Sequence, residues 1–162
     1  MKDELEHYFD RLWPICRSIS GNGLRESFDI LKEVSPLNTY EIPTGAKVFD
    51  WTIPKEWNID DAYIISPDGE KICNFKKNNL HVVNYSIPVD KEVDYDELFK
   101  HIHTLNNQPN AIPYITSYYK ETWGFCISKK ELDKLPKKGK YRVFIKSSLE
   151  NGSITYGDLV LR

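Results

Sequence analysis

The stretch that decides the fold is Ala62-Tyr63-Ile64-Ile65-Ser66-Pro67-Asp68-Gly69-Glu70-Lys71-Ile72-Cys73. Two short apolar runs, at 62–65 and 71–73, flank a Ser-Pro-Asp-Gly sequence. Asp-Gly favours a tight turn because both residues tolerate the backbone conformations that a two-residue connection requires. We therefore predict an antiparallel β-hairpin at this point in the chain.

The period-two alternation of β-strands extends to both sides of this hairpin. Further strands are predicted at 39–42 and 47–51 around a Pro43-Thr44-Gly45 turn, and at 80–85, 114–119 and 124–127. A terminal hairpin is predicted from 141–147 to 154–161, because Asn151-Gly152 is typical of a type I′ turn. The central and C-terminal parts of the chain are therefore expected to be rich in antiparallel strands.

Helical periodicity dominates the N-terminal segment. Apolar residues recur at steps of three and four from Leu5 to Ile19, and Pro14 should kink or divide this helix near Leu12-Trp13. A second helix is predicted at about 24–34, with Ser20 or Asn22 as its cap and Pro36 after its end. The two helices form a hairpin with an apolar face.

Two more helices are predicted from capping sequences. Asp94 and Glu97 open a helix whose buried face is expected to hold Leu98, Phe99, Ile102 and Leu105, and Ser128 with Glu131 opens a short helix before Pro136. The predicted fold class is α+β, with an N-terminal helical hairpin followed by a mixed, mostly antiparallel β-rich region that contains these two helices.

Composition limits the classes of function. The chain has 162 residues, 40% of them hydrophobic, which fits one domain or one domain with a small appendage. A net charge of -2 argues against binding to nucleic acid or to an anionic membrane, and no segment has the roughly 20 apolar residues of a membrane span. The acidic start at 1–7 lacks the apolar core of a signal peptide, so we predict a cytoplasmic protein.

Two aromatic-rich phrases are the candidate ligand-binding sites. The first, Phe49-Asp50-Trp51-Thr52-Ile53-Pro54-Lys55-Glu56-Trp57, offers Trp51 and Trp57 as stacking faces and Glu56 as a polar group for a sugar, a peptide or a cation. The second offers Tyr118, Tyr119 and Trp123. For the first phrase the alternative is that the tryptophans are large anchors of the core or of a domain interface. For the second phrase the alternative is that Thr and Tyr residues simply form a good strand.

No catalytic residue and no metal ligand is predicted. His101 and His103 are placed in the last turn of the third helix, where residues two apart point away from each other; on a strand they could share an ion. The three cysteines, Cys16, Cys73 and Cys126, lie in separate apolar phrases and are interpreted as buried thiols.

The chain resembles one bacterial family along most of its length, in successive blocks. The blocks are Leu12-Trp13-Pro14-Ile15-Cys16-Arg17-Ser18-Ile19-Ser20-Gly21-Asn22-Gly23, the phrase at 49–57, and the segments at 74–85, 116–119, 123–126 and 153–158. The family is that of the aminopeptidase-like proteins that carry a domain of unknown function, which are similar to zinc aminopeptidases and are often linked to polysaccharide biosynthesis.

The resemblance implies a domain organisation. Residues 1–55 are expected to begin the aminopeptidase-like layer, residues 56–135 to be an inserted β-rich module, and residues 136–162 to form a terminal hairpin that leads back to a catalytic layer absent from this sequence. Full-length family members are expected to bind zinc, whereas no cofactor is expected in this chain. Its expected partner is the missing C-terminal catalytic region, and self-association through exposed sheet edges is also expected.

Two functions follow from these observations. In the first, the chain is the non-catalytic N-terminal part of a zinc-dependent aminopeptidase-like hydrolase, where it supplies scaffold and part of the substrate cleft. In the second, it is a free-standing module that binds a peptide or sugar ligand, or docks on a partner, through exposed aromatic residues.

Overall fold

A computed structural model describes residues 2–160 of the chain, with side chains from Leu5 onward. The chain forms two compact units, of which the first holds the residues up to Asn58 and those from Leu149 on, and the second holds Ile59–Ser148. The described residues form two N-terminal helices followed by mostly antiparallel strands with two short helices among them, so the α+β fold class is confirmed.

The elements follow one another along the described residues. The helices are α1 (Lys2–Leu12), α2 (Asn22–Lys32), α3 (Tyr95–Lys100) and α4 (Lys129–Leu132), and the strands are β1 (Asn38–Pro43), β2 (Lys47–Val48), β3 (Trp51–Thr52), β4 (Glu56–Ile65), β5 (Lys71–Ile72), β6 (Val89–Val93), β7 (Ile102–His103), β8 (Phe125–Cys126), β9 (Tyr141–Glu150) and β10 (Ser153–Asp158).

The helices of the first unit begin and end for identifiable reasons. Helix α1 ends at Leu12, two residues before Pro14, as predicted. The predicted caps of α2 are wrong: Gly21 is the N-cap, with a φ of 92° and no side-chain cap. Asn22 is already helical, and the hydroxyl of Ser20 instead accepts a hydrogen bond from the backbone N–H of Trp57, at 3.1 Å.

Strand β1 pairs with β10 in an antiparallel ribbon, in a register that runs from Asn38 opposite Asp158 to Pro43 opposite Ser153. A hairpin between the residues on either side of the Pro43-Thr44-Gly45 turn is therefore not formed, and β2 pairs only with β3. The expected terminal hairpin is wrong as well, because β9 and β10 belong to different sheets. Its expected last residue, Leu161, lies outside the described residues.

The second unit is built around a four-stranded sheet in the order β5-β4-β9-β6. The predicted hairpin is confirmed, with Ile64 opposite Ile72 and Ile65 opposite Lys71. Strand β9 alternates in burial, since Tyr141, Val143 and Ile145 are buried while the residues between them are more exposed. Because side chains alternate between the two faces of a strand, one face of the sheet packs into the hydrophobic core of the unit.

Two predicted strands are absent. In the segment 80–85, the side chain of Asn78 accepts a hydrogen bond from the N–H of Leu80 and starts a short 3-10 turn, and Tyr85 has a φ of 70° that no regular strand permits. In the segment 114–119, a single bridge joins Thr116 to Asn84. Both segments have strand-forming residues but no long neighbouring strand with which to pair.

Helix α3 is shorter than predicted. The cap is confirmed, because Asp94 accepts a hydrogen bond from the N–H of Glu97 at 2.9 Å. The helix ends at Lys100, so its buried face is partly wrong: Leu98 is 1% exposed, but Phe99 is 54% exposed and Ile102 lies in a strand.

The capping box of α4 gives a testable prediction. The Ser128 hydroxyl accepts a hydrogen bond from the N–H of Glu131 and donates one to the Glu131 carboxylate, at 2.5 Å. Ser128→Ala is expected to lower the free energy of unfolding by about 1–2 kcal/mol, since it removes this cap at a buried position. Urea denaturation measures the change. Ser128→Thr, which keeps the hydroxyl, should retain most of the stability, and an equal loss in both variants would contradict the capping role.

Candidate functional site

The first unit holds an ionic centre around Arg25 of α2. Its guanidinium donates to both oxygens of the Glu56 carboxylate at 2.8 and 2.6 Å, and to Glu41 at 2.7 Å. The hydroxyl of Ser153 donates to Glu41 at 2.5 Å, and its backbone N–H donates to Glu56 at 3.1 Å. This centre therefore ties α2 to β1, to the start of β4 and to β10.

The charges of this centre stabilise one another. The hydrogen bonds from Arg25 lower the pKa of Glu56 to about 2, against the opposing effect of burial. The pKa of Glu41 is lowered as well, first by Ser153 and then by Arg25. Arg25 has its pKa raised by both carboxylates. Because both oxygens of Glu56 already accept hydrogen bonds, the geometry gives this predicted ligand residue a structural role.

The two tryptophans of the same phrase differ in exposure. Trp57 is 3% exposed and lies in the core of the first unit. Trp51, in β3, is half-buried. Of the two tryptophans, Trp51 is thus the more exposed to solvent.

The β1–β10 ribbon has one face that α2 does not cover. Helix α2 lies on the face of Glu41 and Gly157, since Phe28 approaches Gly157 and Arg25 binds Glu41. On the other face, Tyr40 and Tyr156 stack with ring centroids 5.2 Å apart and are 43% and 47% exposed. We call this surface, formed by Tyr40, Ile42, Ile154 and Tyr156, the tyrosine face.

Helix α1 also exposes apolar side chains at a regular spacing. Leu5, Phe9 and Trp13 lie four residues apart along α1 and just after its end, and they are 68%, 67% and 61% exposed. An amphipathic helix ordinarily turns such a stripe toward a core. The stripe and the tyrosine face are therefore two apolar surfaces of the first unit that are open to a partner.

The second predicted phrase lies in the second unit. Trp123 is 7% exposed and stacks on the His101 ring at 3.7 Å, so it is a core residue. Tyr118 is half-buried against Tyr85. Tyr119 is 79% exposed. Tyr119 is therefore the member of this phrase that can offer most of its ring to a ligand.

The prediction that His101 and His103 share a helical turn is wrong. His101 is the C-cap of α3, and His103 lies in β7, which pairs in parallel with β8. The Nδ1 atom of His101 is 2.9 Å from the carbonyl of Trp123. Burial, and then the nearby His101, lower the pKa of His103. Among the described residues, no group of three or more His, Cys, Asp or Glu side chains is placed to hold a metal ion.

The three cysteines are free thiols. Burial raises the pKa of Cys126 to about 12 and that of Cys16 to about 11, and it raises the pKa of Cys73 further. A thiol with a raised pKa stays protonated at neutral pH and is a poor nucleophile.

A cavity of about 460 Å³ opens on the second unit, at a place that sequence reasoning missed. Its lining includes Glu70, Lys71, Asn74, Lys77, His81 and Lys134. None of the six predicted ligand residues lines it. The residues that line the cavity come from separate segments of the chain, so no local motif in the sequence identifies them as a group.

Comparison with known proteins finds a matching family and two similar proteins. Residues 56–148 match the family model described as "Domain of unknown function (DUF2172)". A protein of Clostridium acetobutylicum named "Putative polysaccharide biosynthesis protein with aminopeptidase-like domain" is 50% identical over 159 residues, which are 98% of this chain and 36% of that protein. A crystal structure from the same organism, described as a "putative peptidase", superposes with a TM-score of 0.89 at 51% identity, over 96% of this chain and 36% of that one.

This α+β chain is similar in sequence and fold to the N-terminal part of aminopeptidase-like proteins, as the sequence resemblance predicted. The chain belongs to the family that carries the domain of unknown function DUF2172. It spans about a third of the length of the relatives that it matches. None of the helices that the structure describes is long and apolar enough to cross a bilayer.

Proposed function

We propose that the chain is the non-catalytic N-terminal part of a zinc-dependent aminopeptidase-like hydrolase, in which it supplies scaffold and part of the substrate cleft. One observation carries the proposal: 98% of the chain aligns at 50% identity with only 36% of a relative named for its aminopeptidase-like domain. The whole protein is proposed to act in polysaccharide biosynthesis, after the name of that relative.

The residues that the structure describes do not fit a catalytic zinc site. Such a site needs three protein ligands and an open position, and the described residues bring no such group together. The metal ligands are therefore proposed to lie in the part of the longer protein that has no counterpart here. Three free thiols are consistent with a reducing compartment, and we propose a cytoplasmic location.

The open surfaces of the first unit support a scaffold role. A two-stranded ribbon is marginally stable alone and ordinarily belongs to a larger sheet or packs on both faces. The ribbon of β1 and β10 has α2 on one face and the tyrosine face on the other. The proposed occupant of the tyrosine face is the aminopeptidase-like remainder of the same polypeptide. In its absence, the ribbon edges are expected to favour self-association.

Metal content and hydrolysis test the proposal. The purified 162-residue chain is expected to hold no stoichiometric zinc and to leave aminoacyl amides intact. The longer protein, prepared in parallel, is expected to hold zinc and to hydrolyse them. Elemental analysis and a chromogenic aminoacyl-amide assay measure both properties. Tight stoichiometric zinc in the short chain, or a longer protein with neither zinc nor activity, would contradict the proposal.

A second candidate function is a ligand-binding module, and the exposure of Tyr119 favours it. Tyr119 is 79% exposed, and its ring centroid lies 4.5 Å from that of Tyr118 in the second unit. Aromatic rings held at a surface are common anchors for ligands. This function needs neither metal nor hydrolysis, so binding by the chain alone would distinguish it from the first.

A further inference from the structure

A long loop of the second unit has no regular secondary structure and is joined to its neighbours by backbone hydrogen bonds. Residues 104–124 connect β7 to β8 and are called the 104–124 loop. Loops of more than about 15 residues without secondary structure are uncommon in compact domains and are usually functional or disordered. Here the N–H of Asn84 donates to the carbonyl of Ile115, and the N–H of Ser117 donates to the carbonyl of Asn84, both at 2.9 Å. The carbonyl of Pro109 accepts a hydrogen bond from a backbone N–H of α4, at 3.0 Å.

The backbone of this loop turns two tyrosine rings toward solvent. Tyr119 is 79% exposed and Tyr114 is 58% exposed. Tyr114 and Thr116 are exposed while Ile115 between them is half-buried, as in an extended segment with one outward face. The two tyrosines are five positions apart in the chain, so their Cα atoms lie at most about 18 Å apart. A ligand made of several linked units is therefore long enough to reach from one tyrosine to the other.

The polar groups of the loop are almost all uncharged. Its exposed turn at 106–110 carries the amide side chains of Asn106, Asn107, Gln108 and Asn110. Its charged residues are the adjacent Lys120 and Glu121, which have opposite signs. The loop therefore has no net charge with which to select a phosphate, a carboxylate or an ammonium group.

Amides and tyrosine rings together match the chemistry of a neutral saccharide. A carboxamide offers one acceptor and two donor hydrogens, which suits a hydroxyl that both donates and accepts. A tyrosine ring offers an apolar face with a negative quadrupole, which suits the C–H face of a sugar ring. Tyrosine and asparagine recur together in other adaptable binding loops for the same physical reasons.

We propose that the 104–124 loop binds a neutral saccharide, with Tyr114 and Tyr119 as stacking faces and the amides at 106–110 as hydrogen-bonding groups. The proposal rests on the second candidate function and names the class of its ligand. It requires neither zinc nor hydrolysis, so it stands or fails separately from the hydrolase assignment.

Titration of the chain with a panel of neutral gluco-, galacto- and manno-oligosaccharides tests the proposal. At least one oligosaccharide is expected to bind, with NMR signals of the loop shifted and an affinity that does not change between low and high salt. Tyr119→Ala is expected to weaken binding roughly tenfold, and Tyr119→Phe to retain it. The matched control is Phe99→Ala, which removes an exposed ring of α3 outside the loop and should leave the affinity unchanged.

Three results would overturn the proposal. The first is that no neutral oligosaccharide binds to chain that circular dichroism shows to be folded. The second is that Tyr114→Ala and Tyr119→Ala both bind as the wild type does. The third is that peptides or anionic glycans bind instead, with an affinity that high salt abolishes. Each of these results leaves the zinc and hydrolysis measurements on the longer protein unaffected.

Discussion

Arg25→Ala is expected to lower the free energy of unfolding by roughly 3 kcal/mol, because the substitution leaves two carboxylates without their common cation. The Glu56 side chain is 13% exposed and that of Arg25 is 30% exposed, so water compensates only in part. Arg25→Lys should recover part of the loss, since one ammonium cannot reproduce the two parallel hydrogen bonds to Glu56. Chemical denaturation measures all three proteins.

The matched control for Arg25 is Arg11, in the same unit. Arg11 forms an equally short two-fold contact with Glu33, at 2.6 Å, but both side chains are more exposed. Arg11→Ala is therefore expected to have a much smaller effect, since exposed ion pairs contribute little to stability. Equal losses for Arg11→Ala and Arg25→Ala would show that the centre around Arg25 has no special role.

The same centre predicts how stability depends on pH. The folded-state pKa of Glu56, about 2, is below its ordinary value of 4.5. The resulting stabilisation is fully present above the ordinary pKa and is lost as the pH falls from about 5 through about 2. In Arg25→Ala the largest cause of the lowered pKa is gone, so stability should fall less steeply over this range. Denaturation midpoints across the range measure the slope, and parallel curves for the two proteins would contradict the assignment.

Gly21→Ala is expected to cost at least about 3 kcal/mol, which combines backbone strain with a clash. The residue has a φ of 92°, and a Cβ atom there would lie 2.2 Å from the backbone carbonyl oxygen of Trp57. Backbone atoms of two elements would have to move apart, and α2 begins at the next residue. The thermal unfolding midpoint measures the effect.

Gly45→Ala is the matched control for Gly21→Ala. Gly45 has a φ of 85°, but among the described residues no atom outside Gly45 and its two chain neighbours lies within 4 Å of the position of an added Cβ. Only the left-handed backbone opposes alanine there, at a cost of about 1–2 kcal/mol. If the two variants are equally stable, close packing at Gly21 is not what requires glycine.

Local signals in the sequence predicted local structure well. The hairpin at 62–73 depends on a turn whose residues are adjacent, and the caps at Asp94 and Ser128 act within one helical turn. The end of α1 before Pro14 is also a local effect.

Long-range pairing was not predictable from periodicity. Strand β1 pairs with β10 although residues 59–148 lie between them in the sequence. No pattern of alternation specifies which strand is the partner. The segments 80–85 and 114–119 have strand propensity, but their neighbours in space decide otherwise. The domain boundaries expected after residues 55 and 135 describe how this sequence is arranged within a longer protein, and they stay a prediction.

The surroundings of the candidate site residues were likewise not predictable from local sequence patterns. The predicted residues Trp57 and Trp123 are rare and large, which made them conspicuous in the sequence, but both are buried. Arg25 has no local motif, and its two carboxylate partners are separated from it by 16 and 31 residues. Tyr119 was selected from its phrase, whereas Tyr114 became a candidate only once the extent of the 104–124 loop was known.

The main proposal is that this chain is part of a longer aminopeptidase-like protein. The coding sequence directly downstream of the Arg162 codon, together with the intact mass of the native protein, tests it most directly. If the proposal is right, the reading frame continues into His, Asp and Glu ligand motifs, and the native mass is well above 19.0 kDa. A stop codon at that point and a native mass of 19.0 kDa would contradict it.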